Sequence, residues 1–289
     1  MTVDVFGARQ RSGNFSFAAE VFRREPLYAG AALCLAALIA PTLVAMTLDG
    51  RTLAGVNVWL KPLRFEVALT IYLATLAWFA DWLPQGVTTT RWYRIYSGCV
   101  VLAVAAEIIW IAGAASLGIA SHFNEGSPML AWTYRFMGAL AVLLTSSALV
   151  YGILIFRNRH SRLDPAFKLS IGLGLVLTFV LTAAVAGYMA NSGGHFIGRS
   201  SINAPGAPLV GWARDRGDLR VPHFFATHAM HFIPGFGFLA ALALPRAVAS
   251  RAVIDFSVVY AVFVSYTFGE ALMGKPFFAV LPCIACTKF

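Results

Sequence analysis

A chain of 289 residues with 59% hydrophobic and only 12% charged residues has too little polar surface for a soluble domain of this size. Soluble domains carry about 25% charged residues, so the composition predicts an integral membrane protein in contact with the lipid bilayer. The formal net charge of +9 would suggest nucleic acid in a soluble protein. Here the basic residues fall mostly between apolar runs, as membrane topology requires, and we expect no nucleic-acid partner.

Seven apolar runs are long enough to cross a bilayer, which takes roughly 20 residues per helix. They predict an all-α polytopic membrane helix bundle of about seven transmembrane helices over residues 28–276. We expect a polar cytoplasmic segment at 1–27 without a cleavable signal sequence, and a C-terminal tail at 277–289. The predicted helices are about 28–48, 62–83, 95–118, 129–156, 167–190, 221–244 and 252–274.

The distribution of Lys and Arg predicts the orientation of these helices. With the N-terminus inside, slightly more of the 22 basic residues fall in inner segments, and the clearest inner cluster is RNRHSR at 157–162. The positive-inside rule then predicts a bacterial inner-membrane protein with a cytoplasmic N-terminus and a periplasmic C-terminus. The longest connection, 191–220, is outer and rich in Gly, Pro, Ser and Asn, which predicts an irregular lid.

Five of the six histidines fall on or just inside the expected outer face. His122 follows the third helix, His195 lies in the lid, and the other three follow the lid at His223, His228 and His231. At about 100° per residue those three lie within roughly a 140° arc of the sixth helix. An ionisable residue inside a membrane is costly and usually faces the bundle interior or a wet cavity. The pattern predicts a histidine stripe that runs inward from the outer face.

Carboxylates on other predicted helices approach the same face. Glu66 and Glu270 lie about one turn inside the second and seventh helices, and Glu107 lies deeper, near the level of His231. Imidazole and carboxylate groups together bind zinc, iron or copper, so we expect a divalent transition metal with the carboxylates as further ligands or bases. The expected metal ligands are His122, His195, His223, His228 and His231. A proton relay and purely structural hydrogen bonding remain alternatives.

A haem b group is an alternative cofactor for these histidines. A bis-histidine haem usually needs histidines on two facing helices, and only the sixth helix supplies them within the membrane. Haem bound by His223 would therefore take His122 or His195 as its second ligand, near the outer face. The chain has no CxxCH attachment motif.

Two further motifs lie on the expected outer face. In GDLR, Arg220 held by Asp218 could bind an anionic headgroup or a substrate carboxylate, or the two could form only a local ion pair. In CIAC, Cys283 and Cys286 form a CxxC pair near the C-terminus. A disulfide is the default for such a pair on an oxidising face, and a redox-active or metal-delivering pair is the alternative.

Several short motifs carry a family resemblance. The segments KPLRFE, SHFNEG, GGHFIG, GDLRVPHFFATHAMH and GKPF together resemble a family of bacterial multi-pass membrane proteins without an assigned activity. The resemblance covers the second to the seventh helix. It implies an integral membrane protein and adds no mechanism.

These features favour a metal-dependent, possibly redox, membrane enzyme with its site at the outer face. We expect Glu66, Glu107, Glu270 and Arg220 to act on a small or lipid-soluble substrate that enters beneath the lid. The alternatives are a transporter or proton-coupled channel that uses the histidine stripe, a haem-binding electron-transfer protein, and an accessory subunit without its own chemistry. The sequence leaves open whether the protein is an enzyme and whether it forms oligomers.

Overall fold

The computed structural model describes residues 17–53, 55–198, 206–207 and 210–279. Its helices are α1 Phe17–Arg24, α2 Pro26–Leu48, α3 Leu60–Phe79, α4 Arg91–Leu117, α5 Pro128–Arg157, α6 Pro165–Asn191, α7 Arg220–Thr227, α8 Ala229–Ala243 and α9 Arg246–Leu272. Within these described ranges, six helices are long and apolar enough to cross a membrane, and the bent pair α7–α8 makes a seventh span if it is counted as one. The predicted class is confirmed: the chain is an all-α polytopic membrane protein.

Extended structure is limited, within these described ranges, to two short antiparallel ladders. Strand β1 (Thr52–Leu53) pairs with β2 (Val56–Asn57), and β3 (Phe196–Ile197) pairs with β4 (Gly217–Asp218). The second ladder joins the two ends of the predicted lid, 191–220. The CxxC cysteines Cys283 and Cys286 lie outside the described residues.

The helix boundaries follow from local sequence. Asp164 caps the N-terminus of α6 by accepting the backbone N–H of Ala166 at 2.9 Å, and Ser127 caps α5 in the same way. A proline follows each cap, at the first helical position where a missing N–H does no harm. Helix α4 ends at Gly118, whose φ of 68° is a left-handed conformation that glycine adopts easily.

The described chain divides into two compact units, one up to Arg162 and the other from Leu163 onward. A cluster of tyrosines lies in the core of the first unit. The hydroxyls of Tyr93 and Tyr151 are 2.5 Å apart, and the ring of Tyr28 stacks on Tyr151 with a centroid distance of 6.2 Å. All three side chains are almost fully buried, which joins α2, α4 and α5.

Small residues allow close packing of α6 against α8 in the second unit. A Cβ atom at Gly174 would lie 2.8 Å from Cδ of Pro234, and one at Gly237 would overlap the side chain of Ser170. Close approach through small residues is how helices associate in a bilayer, where lipid is as apolar as the helix surfaces. The glycines therefore determine how near these two helices lie.

The variant Gly237→Ala should destabilise the protein, because its methyl group would overlap both Oγ and Cβ of Ser170. Ser170 is fully buried and its hydroxyl donates to the carbonyl oxygen of Phe167 at 2.7 Å, so it has little room to move. Overpacking of this kind costs about 1–3 kcal/mol. We expect a lower midpoint of thermal unfolding for the purified protein in detergent.

Gly235 supplies the matched control, since it lies in the same helix and a Cβ there would meet nothing within 4 Å. Gly235→Ala should unfold at the wild-type midpoint or slightly above it. Adding Ser170→Gly to Gly237→Ala should restore part of the lost stability by removing the overlapping atoms. Equal midpoints for Gly237→Ala and Gly235→Ala would contradict the close packing of Gly237 against Ser170.

Candidate functional site

The residues expected to form one site fall in two units, which are described separately. The first unit contains Glu66, Glu107 and His122. The second contains His195, Arg220, His223, His228, His231 and Glu270. Among the described residues, no three side chains of His, Cys, Asp or Glu are grouped closely enough to hold a metal ion.

Glu66 is a buried carboxylate of α3 that accepts a hydrogen bond from the neighbouring helix α2. Its residue is 2% exposed, and its Oε1 accepts a hydrogen bond from the hydroxyl of Thr42 on α2 at 2.7 Å. Its Oε2 is buried, and no described residue forms a hydrogen bond with it. An unpaired buried carboxylate is costly, so Glu66 is suited to binding a proton or a cation.

The carboxylate of Glu107 on α4 has fewer hydrogen bonds than that of Glu66. It is 2% exposed, and both carboxylate oxygens are buried without a hydrogen-bond partner among the residues that the structure describes. Lys61, near the start of α3, is its electrostatic neighbour and lies with its Nζ 6.0 Å from the ring centre of Phe65. The first unit thus places a basic and an acidic group inside its helical bundle.

His122 lies in the connection between α4 and α5, enclosed by aromatic rings. The ring centres of Phe65 and Tyr134 are each 5.9 Å away, and Nδ1 is 3.2 Å from the hydroxyl of Ser121. Burial, together with the charge of Lys61, lowers the pKa of His122 to about 3. The imidazole is therefore neutral near pH 7, able to accept or donate a hydrogen bond.

The predicted straight helix at 221–244 is broken in the structure. Helix α7 ends one residue before His228 and α8 begins one residue after it, with a bend of 47° between them. His228 itself has φ −92° and ψ 4°, the sparsely populated region between helix and strand where many active-site residues lie. The expected continuous histidine stripe therefore turns at its middle member.

A contact from α6 stabilises the break. The backbone N–H of Met230, at the start of α8, donates to the hydroxyl of Thr178 at 2.7 Å. The first N–H groups of any helix lack helical acceptors, and in a membrane they need a side-chain partner. Pro234 also lies within α8 and cannot donate a backbone hydrogen bond.

Two histidines are in contact at this break. The Nδ1 atoms of His228 and His231 are 3.2 Å apart, and the ring of Phe224 lies 4.3 Å from that of His228. His228 is also an electrostatic neighbour of His223, whose Nδ1 is buried and has no hydrogen-bond partner within the described ranges. The arrangement allows one proton to be shared between two imidazoles inside a membrane-length element.

Arg220 is held by Asp218, a contact that both interpretations of the GDLR motif include. Its Nη2 and Nε lie 2.6 Å and 2.9 Å from the carboxylate of Asp218, and Nη2 also donates to the carbonyl oxygen of Gly211. The guanidinium therefore holds the segment before α7 in place. His195 belongs to the same region, since its carbonyl oxygen accepts the N–H of Leu219 at 2.9 Å.

A cavity of about 180 Å³ adjoins the C-terminal end of α9. Glu270 lies at this cavity and forms an ion pair with Lys275 at 3.2 Å. Aromatic side chains at Phe263 and Tyr266 form part of its wall. The sequence analysis identified Glu270 and missed Lys275, Phe263 and Tyr266. The spacing of Glu270 and Lys275 across the end of α9 could have indicated their ion pair.

The site residues thus form two chemically distinct groups. The first unit has buried carboxylates beside Lys61 and the neutral His122. The second has a histidine pair at a helix break and, separately, Glu270 in a cavity at the end of α9. Both groups can bind protons or polar ligands. No protein-family model, curated protein or solved structure matches this chain.

Proposed function

We propose that the protein is a proton-conducting channel or proton-coupled transporter, with the broken span α7–α8 as its proton-binding element. The observation that carries the proposal is the 47° break at His228, with the Nδ1 atom of His231 3.2 Å from that of His228. Interrupted helices mark binding sites in transporters, because freed backbone groups and half-helix ends face the ligand. Histidines within membrane spans mark proton paths for the same energetic reason.

The chemistry of the pair suits proton transfer. Two neutral imidazoles at this distance share one hydrogen bond, in which one ring donates and the other accepts. One added proton gives an imidazole–imidazolium pair, whereas a second would bring two like charges into contact. His228 and His231 therefore exchange one proton at a time with their surroundings.

Buried carboxylates in the first unit support the same proposal independently. Both oxygens of Glu107 and one oxygen of Glu66 lack hydrogen-bond partners in the described part of the chain, and each residue lies in a helix of membrane length. A protonated carboxyl group removes the cost of a bare buried charge. We propose the bacterial inner membrane as the location, with the N-terminus in the cytoplasm and the C-terminus in the periplasm, as the positions of Lys and Arg favour.

Proton flux into proteoliposomes tests this proposal. With an imposed pH gradient and a pH-sensitive dye inside, wild-type protein should dissipate the gradient, and His228→Ala should remove most of that flux because it breaks the imidazole pair. His160→Ala is the matched control, since His160 is exposed in the loop after α5. Flux no greater than in protein-free liposomes, or equal flux in the two variants, would contradict the proposal.

A metal-dependent membrane enzyme is the second candidate. Two nitrogen ligands of a tetrahedral zinc ion, each about 2.0–2.1 Å from the metal, lie roughly 3.3 Å apart. The 3.2 Å between the Nδ1 atoms of His228 and His231 is close to that separation. A stoichiometric metal or haem b in purified wild-type protein that is absent from His228→Ala would favour this candidate.

A further inference from the structure

The cavity at the end of α9 has the size of a small-molecule site. Its volume of about 180 Å³ is lined by residues of β4, α7 and α9 and of the segment that contains Lys275 and Phe277. An apolar cavity of about 150 Å³ in another protein accommodates benzene. This cavity therefore has room for one aromatic ring with a short substituent.

The wall of the cavity is mainly apolar and aromatic. Val221, Phe263, Tyr266 and Phe277 line it, and such side chains favour a ligand with an apolar body. Aromatic faces also attract a cation held within about 6 Å of the ring. The lining thus suits a ring-sized body and tolerates a positive charge beside it.

Among the lining residues, the charged groups decide the sign of the ligand. The carboxylate of Asp218 is fully enclosed and already holds Arg220, so it is committed to the fold. Glu270 is anchored on α9 with its side chain 15% exposed, whereas its partner Lys275 is 55% exposed beyond the helix end. The lysine is therefore the more readily displaced member of the pair.

A ligand amine and a ligand anion would meet different surroundings here. An amine can take the place of the Lys275 ammonium on Glu270, and the carbonyl groups at the C-terminal end of α9 also favour a cation. An anion would have to compete with Glu270 for Lys275 and would bring a further negative charge close to two carboxylates. The electrostatics favour the amine.

We propose that this cavity binds a small primary amine whose apolar body is the size of one aromatic ring, with the ammonium on Glu270 and the ring against Phe263 and Tyr266. The proposal rests on the proposed function in naming a substrate class for the transporter. Binding itself does not depend on proton flux. An equilibrium binding measurement therefore separates failure of this site from failure of the transport proposal.

Isothermal titration of the full chain in detergent with three isosteric probes tests the proposal. Benzylamine, benzyl alcohol and benzoate share one ring and differ in charge. We expect benzylamine to bind about tenfold or more tightly than benzyl alcohol, as a charge-assisted hydrogen bond in a partly buried site gives. Benzoate should bind more weakly than the alcohol.

Variants of the ion pair test which group binds the amine, and both Glu270 and Lys275 are at least partly exposed. Glu270→Gln should remove the preference for benzylamine over benzyl alcohol, and Lys275→Met should strengthen benzylamine binding because it removes the competing ammonium. The matched control is Asp255→Asn, which alters another ion-paired acid of α9 at an exposed position away from the cavity. Benzoate binding as tightly as benzylamine, a preference that survives in Glu270→Gln, or no binding of any probe would overturn the proposal.

Discussion

Replacing Gly217 with alanine should lower the free energy of unfolding by about 3 kcal/mol or more, the upper end of what overpacking costs. A Cβ atom at this position would overlap the carbonyl oxygen of Ala271 and lie 2.9 Å from its carbonyl carbon. These are backbone atoms of α9, so no change of rotamer relieves the clash. We expect a large fall in the thermal midpoint together with loss of benzylamine binding, because β4 and α9 both line the cavity.

Gly194→Ala is the control for this prediction. Gly194 lies in the same connection between α6 and α7, and a Cβ there would meet nothing within 4 Å. Its thermal midpoint and its affinity for benzylamine should match those of the wild type. A wild-type midpoint for Gly217→Ala would mean that β4 does not pack against α9 as closely as the structure has it.

The helical spans were predictable because the bilayer leaves the backbone few options. A lipid-embedded segment must satisfy every N–H and C=O within itself, so a long apolar run is a helix almost by necessity. The boundaries were less accurate where polar residues extend a helix. The predicted span 95–118 begins at Arg91 in α4, after a Thr90 cap that hydropathy does not register.

The break at His228 could not be predicted from hydropathy or periodicity. The hydrogen bond that stabilises it joins Met230 to Thr178, which are 52 residues apart in sequence. Pro234 signalled an irregular helix, but it lies within α8 and not at the bend. Periodicity therefore predicted correctly that His228 and His231 are neighbours, while treating the whole segment as one straight helix.

Single residues of the candidate sites could be predicted from the sequence, but the residues that contact them could not. Glu66 and Glu107 stand out because carboxylates are rare in apolar runs, and both are buried in the structure. Their environments depend on contacts between helices, such as the bond from Thr42 to Glu66. Likewise, the cavity at the end of α9 depends on the packing of β4 and α7 near that helix, which no local pattern encodes.

Asp218→Ala should be the most damaging substitution of a charged residue in the second unit. The enclosed carboxylate accepts hydrogen bonds from Nε and Nη2 of Arg220 and from the backbone N–H groups of Arg220 and Ala213, at 2.6–3.0 Å. Removing one partner of a buried ion pair costs about 3–5 kcal/mol. Because the side chain of Arg220 is 27% exposed and retains access to solvent, we expect the lower end, about 3 kcal/mol. Unfolding in mixed detergent micelles, followed by circular dichroism, measures the loss.

Two comparisons show whether burial causes the loss of stability in Asp218→Ala. One is the partner variant Arg220→Ala, and the other is the exposed ion pair of Asp255 and Arg251 in the same unit. Arg220→Ala should cost less than Asp218→Ala, because the two backbone N–H groups would still satisfy the carboxylate. The double variant should cost less than the sum of the two single losses. Each single variant leaves one charged group without its partner, whereas the double variant removes both charged groups. Asp255→Ala breaks an exposed pair with Arg251 and should cost only about 0.3–0.5 kcal/mol. Equal losses for Asp218→Ala and Asp255→Ala would show that Asp218 does not organise the segment before α7, and the cavity at the end of α9 would then lack the support that the structure gives it.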